Sequence, residues 1–201
     1  MALRAESAHE KGRKGVLQTK RWLESTTHLE LAFDAYDWAP ECTISCLDGS
    51  QQTFDLKGHL YKEKAPVFVE NKAVDGVRDK PNQYADFLAI AYSATAAEIR
   101  RVQDPKWQFM WVTTHPFNQT DWTKLTKRKR IVQALEADRR AASADENRSD
   151  LLNGEEIDDD VLDLLVGRIW LLVLNKRQSE LTLTPKELSK IEALLNRKGR
   201  I

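Results

Sequence analysis

Asp55, Glu70 and Lys72 are the residues whose types and spacing could do chemistry. Glu70-Asn71-Lys72 follows the apolar run Val67-Phe68-Val69, as expected at the end of a strand buried on both faces. Alternate residues of a strand share a face, so Glu70 and Lys72 point the same way. The stretch from Gln52 to Val74 reads as a hairpin. A two-residue turn at Lys62-Glu63 sets Asp55 opposite Glu70, with Cβ atoms about 5 Å apart. Two carboxylates that close repel each other unless a cation lies between them. A slip of one residue would send one of them to the other side of the sheet.

The chemistry such a set suits is hydrolysis by a metal-activated water. Asp55 and Glu70 would hold Mg²⁺ or Mn²⁺ through oxygen, with the carbonyl of Asn71 as a further ligand. The metal would lower the pKa of a bound water and neutralise phosphate charge. Lys72 would position or deprotonate that water, or stabilise the developing phosphorane. Desolvation on the sheet would depress its pKa far enough for it to act as a base.

The elements that must position these residues read as follows. Ser7 to Thr26 is a helix, with Gly12 and Gly15 near its start either fraying it or admitting a close approach. Leu29 to Phe33 is open between a short helix and a strand. Cys42 to Leu47 is a strand closed by an Asp48-Gly49 turn. Gln52 to Tyr61 and Pro66 to Val74 are the second and third strands. Asp79 to Ala97 is a helix with Pro81 in its first turn and an apolar stripe at Tyr84, Phe87, Leu88 and Ala91. Trp107 to Thr114 is a buried strand, and Lys127 to Ala142 is a helix with a basic start. Residues 144–150 read as a linker, and Ile157 to Val166 as a helix with an acidic first turn. Ile169 to Leu174 is open between a strand and a continuation of that helix. Thr184-Pro185-Lys186-Glu187 is a capping box opening a final helix, with Gly199 near its end. The expected class is α/β, a sheet flanked by helices. Residues 1–143 form the core, and residues 144–201 a helical C-terminal extension packed on it.

Asp55, followed by Glu70-Asn71-Lys72 after an apolar strand, resembles the signature of the PD-(D/E)XK nuclease superfamily. That resemblance implies a restriction-endonuclease-like core, α-β-β-β-α-β, over roughly residues 8 to 115. It implies a polar residue of the first helix near the metal, either Gln18 or Glu10. It also implies a catalytic Gln83 early in the helix after the third strand. The proline that often precedes the first aspartate is replaced by Phe54. Asp104-Pro105-Lys106 has the same bare form as Glu70-Asn71-Lys72, but it contains proline and follows no apolar strand.

Composition narrows the remainder. The chain has 201 residues, 31 Lys and Arg against 31 Asp and Glu, and 41% hydrophobic residues, so global charge does not point to nucleic acid. The charge is clustered, however. Lys127-Arg128-Lys129-Arg130, with Lys124, could bind phosphates, whereas the 155–163 segment is acidic and could dock a basic partner. Cys42 and Cys46 lie about 13 Å apart on a strand, too far for a disulfide, and read as core. The four histidines (His9, His28, His59, His115) are scattered. Trp38 and Trp122 fall in loops, where they could stack on bases. No apolar run is long enough to span a membrane, and a cytoplasmic protein is the default.

The resulting expectation is a Mg²⁺-dependent endonuclease acting on DNA, with RNA open. It could serve beside an ATPase or helicase subunit in antiviral defence, or as a homo-oligomer. The alternative is a silent nuclease-like fold that binds nucleic acid or scaffolds a complex.

Overall fold

A computed structural model describes residues 2–27, 29–72 and 80–197. His28, the segment 73–79 with Val74 and Asp79, and Gly199 lie outside the described residues. The chain runs through α1 (Ala2–Thr26), β1 (Leu29–Asp34), β2 (Thr43–Ser45), β3 (Gln51–Thr53), β4 (Leu56–Leu60), β5 (Ala65–Lys72), α2 (Lys80–Ile99) and β6 (Gln108–Thr113). It continues through α3 (Arg128–Ala144), α4 (Asp159–Val166), β7 (Ile169–Val173) and α5 (Pro185–Arg197).

Five strands form one mixed sheet in the order β1-β4-β5-β6-β7. β1, β4 and β5 are antiparallel neighbours, whereas β5, β6 and β7 run parallel. Alternation along β5 divides the core. Val67 and Val69 pack with Val16 and Leu23 of α1 on one face. Phe68 packs with Phe87 and Leu88 of α2, Leu135 of α3 and Leu162 of α4 on the other. The protein is thus a mixed α/β fold with helices on both faces of the sheet.

Leu29 to Phe33, undecided from sequence, is the edge strand β1. The Cys42–Leu47 hairpin forms, but β2 and β3 make a separate two-stranded sheet. The expected single strand from Gln52 to Tyr61 is therefore broken at Phe54-Asp55. Its first part turns back on β2, and only Leu56–Leu60 joins the main sheet. Ile169 to Leu174, also undecided, supplies strand β7 beside β6. Leu151, Leu152, Val161 and Leu165 are core residues. The segment 144–201 is thus not simply helical, since it contributes a strand and core to the same fold. The capping box at Thr184 forms as expected. Its amide donates to Glu187 Oε2 at 2.8 Å, and the Glu187 amide returns to Thr184 Oγ1 at 3.3 Å.

Cys42 and Cys46 are free and buried. Burial pushes both thiols up to about 11, which leaves them protonated and unsuited to nucleophilic work. No described helix is long and apolar enough to cross a membrane.

Gly58 on β4 lies directly against β1. A Cβ there would stand 1.8 Å from the Glu30 carbonyl oxygen. Backbone cannot yield as a side chain tip can, so Gly58→Ala is expected to cost about 1–3 kcal/mol. A lowered urea midpoint at unchanged slope checks this.

Candidate active site

The β4–β5 ladder has the expected register, with Leu56 opposite Val69 and Leu60 opposite Ala65. Extended by one residue, it sets Asp55 against Glu70. The turn is longer than expected. Pairing stops at Leu60 and Ala65, and the loop closes through Lys64 at φ 49°.

The break before β4 shapes the site. Phe54 N–H donates to Cys42 O at 3.0 Å, and Ala35 N–H donates to Asp55 O at 3.0 Å. These bonds draw the chain away from β5 just where the ladder would continue. The Asp55 carboxylate takes over and accepts the Asn71 N–H at 2.7 Å. In an extended strand the N–H and C=O of one residue point to the same side. The Asn71 carbonyl is thereby directed towards the Asp55 side.

Glu70 and Lys72 share the α2 face of β5. Lys72 Nζ lies 2.7 Å from Glu70 Oε1 and 6.0 Å from the Trp111 ring centroid. With Phe54, Gln83, Asp86 and Trp111 they line a cleft of about 210 Å³. Gln83 is therefore brought to Glu70 and Lys72 from the first turns of α2. Asp86, one turn further on, also lines the cleft and was not singled out from sequence. Its signal was the spacing of three from Gln83. Asp86 faces Arg148 at 3.7 Å.

Electrostatics at this point are strained. Burial raises the carboxyl of Asp55 above the ordinary range, against the pull of the Asn71 amide and Lys72. Burial and the neighbouring Asp55 push Glu70 up to about 7. Burial also works against the Lys72 ammonium, but Glu70 and Asp55 outweigh it and hold its pKa above the usual lysine value. The expectation that desolvation would depress Lys72 is therefore corrected. Its two acidic neighbours keep it a cation and a donor.

On the far face, Thr19 of α1 is 3% exposed and donates from Oγ1 to Asn71 Oδ1 at 2.9 Å. Gln18 is exposed on α1 and Glu10 pairs with Lys14 at the surface. Neither lines the cleft, and Thr19 is the residue of that helix that reaches the β5 end. Thr19→Val would leave the buried Asn71 oxygen without its donor, at a cost of about 1–3 kcal/mol. Denaturant titration of the two proteins checks it.

The donor set fits a hard cation. Two carboxylates and a carbonyl offer only oxygen, which suits Mg²⁺ or Mn²⁺ retaining several waters. Among the described residues, no group of three or more His, Cys, Asp or Glu could hold a metal, so a softer, protein-caged ion has no ligand set there. Asp104 of the decoy motif instead binds Arg168 bidentately at 2.8 and 3.0 Å, tying the loop before β6 to the start of β7.

The basic run divides. Arg128 pairs with Asp159 and Asp163 of α4; it is corrected from a phosphate contact to a clamp between helices. The acidic segment is likewise engaged within the chain, with Glu155 on Arg100 and Asp158 capping α4 through the amides of Asp160 and Val161. Lys127, Lys129 and Arg130 lie around a separate concavity. Trp122 packs edge-on against Phe117, while Trp38 is 56% exposed and meets Phe33.

Comparison with family models, with curated proteins and with solved structures gives no match for this chain.

Proposed function

We propose that the protein is a divalent-metal-dependent nuclease that hydrolyses phosphodiester bonds, most directly those of DNA, at the Asp55–Glu70–Lys72 cleft. The observation that carries this is the juxtaposition of Asp55 with Glu70 at the parting of β4 and β5, with Lys72 bonded to Glu70 and Gln83 opposite. The run α1-β1-β4-β5-α2-β6 has the element order of a restriction-endonuclease-like core, which supports the PD-(D/E)XK resemblance. Here β1 takes the place that sequence alone assigned to Cys42–Leu47.

Asp55, Glu70 and the Asn71 carbonyl would hold Mg²⁺ or Mn²⁺. When bound, that ion supplies a more acidic water and charge neutralisation at the phosphate. Lys72, kept protonated by its neighbours, donates to a non-bridging phosphate oxygen and stabilises the charge that develops there. The Gln83 amide offers one acceptor and two donors at the cleft wall, enough to orient a water towards phosphorus. Thr19 fixes Asn71, and through it the strand end that carries Glu70 and Lys72.

A non-catalytic role, nucleic-acid binding or scaffolding on the same fold, remains the second reading. The exposed positive side chains beside the cleft favour it if no cleavage occurs. Incubating the protein with plasmid, linear and single-stranded DNA and with RNA, in Mg²⁺, Mn²⁺ or EDTA, separates the two. Metal-dependent cleavage that EDTA stops supports the nuclease. Retained substrate across the whole panel, alone and with candidate ATPase or helicase partners, removes it. Those partners and antiviral defence are proposals on the same footing.

A further inference from the structure

Beyond β6 the chain passes through Asn118 into a 3₁₀ turn over Gln119–Lys124 and then into α3. A concavity of about 390 Å³ lies between them, lined by Asn118, Asp121, Lys124, Lys127, Lys129 and Arg130, among others. Asp121, its only acidic wall residue, is already bonded to Lys124 at 2.8 Å. Lys127, Lys129 and Arg130 have no ion-pair partner among the described residues. The concavity therefore carries an excess of positive charge that nothing in the described chain neutralises.

Arg130 adds a separate observation. Its Nε is buried and finds no hydrogen-bond acceptor. A guanidinium nitrogen withdrawn from water without an acceptor is costly, and an anion entering the space that Arg130 lines would supply one. The 17-residue helix α3 starts at the same place with no side-chain cap. Its first amides, at Arg128 and Lys129, find no acceptor among the described residues, and the positive end of the helix favours a phosphate.

This concavity is connected to the Glu70 cleft by a wall of aromatic rings. Trp111 carries Lys72 on one side and packs against Tyr84 and Phe117. Tyr84 follows Gln83 in the chain and donates to Leu125 O at 3.1 Å. In another direction, the groove adjoining the cleft is lined by Asp48, Asp86 and Asp138 with Arg148 alone opposing them, a path that repels phosphates.

We propose that the Lys127–Lys129–Arg130 concavity is a phosphate subsite that holds one backbone phosphate of a nucleic-acid strand while a neighbouring phosphodiester occupies the Glu70 cleft. This rests on the nuclease reading for the second half of the statement, and on its own lining residues for the first. A polymer with regularly repeated phosphates fits two such positions joined by one wall, and the acidic groove excludes the opposite course.

The test is fluorescence anisotropy of a short labelled single-stranded oligodeoxynucleotide in EDTA, over a salt series, so that no cleavage intervenes. Lys127→Ala/Lys129→Ala is expected to weaken binding about tenfold. It should also reduce the slope of log affinity against log salt by about 1.4, at about 0.7 per lost phosphate contact. Lys62→Ala/Lys64→Ala, in the exposed β4–β5 turn, is expected to leave both unchanged. Equal binding by wild type and the Lys127/Lys129 variant overturns the subsite and leaves the cleft chemistry untouched. Equal losses in both double variants reduce it to diffuse charge attraction and also overturn it. If wild type binds no oligonucleotide, while inorganic phosphate raises its melting temperature and not that of the variant, the strand is overturned as the occupant. Cleavage by Lys72→Ala is scored separately, so failure of the nuclease reading is distinguishable from failure of the subsite.

Discussion

Lys72→Ala is expected to lower metal-dependent cleavage about 10³-fold in single turnover, the scale seen when one preorganised donor to a developing charge is removed. The reason lies in how the side chain is held. Its ammonium is fixed 2.7 Å from Glu70 and stands over Trp111. Two acidic neighbours keep it charged although it is part-buried. It can therefore stabilise negative charge at phosphorus without reorganising. It contributes no oxygen to a cation, so Mn²⁺ affinity in Lys72→Ala is expected to be retained or to rise. Loss of cleavage with metal binding intact separates a donor to the transition state from a metal ligand. An unchanged rate would place the chemistry elsewhere.

Glu70→Gln is expected to remove cleavage to a similar degree and, unlike a typical core substitution, to stabilise the metal-free protein. Burial and the nearby Asp55 raise Glu70 to about 7 in the folded state, against 4.5 as the ordinary value. Between those limits the folded protein holds a proton that the unfolded chain has released. Stability attributable to this group is thus greatest below about pH 4.5 and falls as pH rises to about 7. The upper figure for the whole shift is roughly 3 kcal/mol. Glutamine stays neutral, so at pH 8 in EDTA the variant should melt above wild type, and at pH 5 the gap should narrow. Adding Mn²⁺ at pH 8 should raise the melting temperature of wild type and leave the variant unmoved. A variant that melts lower than wild type at pH 8 in EDTA contradicts the proposed charge crowding.

Glu70 illustrates which features could be read from sequence. The alternation of Val67, Phe68 and Val69 fixes which side of β5 each residue faces, and the hairpin spacing fixes what Asp55 opposes. Both are local quantities. The break at Phe54-Asp55 was hidden because Gln51 to Phe54 keeps a strand-like composition. What turns that segment back is the bond of Phe54 N–H to Cys42 O, a partner 12 residues away in the chain. Leu29 to Phe33 and Ile169 to Leu174 were undecidable for a related reason. Short apolar runs become strands only when a neighbour offers a ladder, here β4 and β6. Arg128 looked like its basic neighbours until α4 brought Asp159 and Asp163 against it. Thr19 was passed over for Gln18 because helix phase near two glycines gives no local clue to which residue faces the sheet.

The most direct measurement is a Mn²⁺ titration followed by electron paramagnetic resonance, comparing wild type with Asp55→Asn. Asparagine keeps an oxygen acceptor for the Asn71 amide, so the strand junction is preserved while one negative charge is lost. The account predicts a bound Mn²⁺ in wild type whose affinity collapses in the variant while both proteins stay folded. Wild type that binds no Mn²⁺, or a variant that binds it equally well, would contradict the claim that these two carboxylates share an ion.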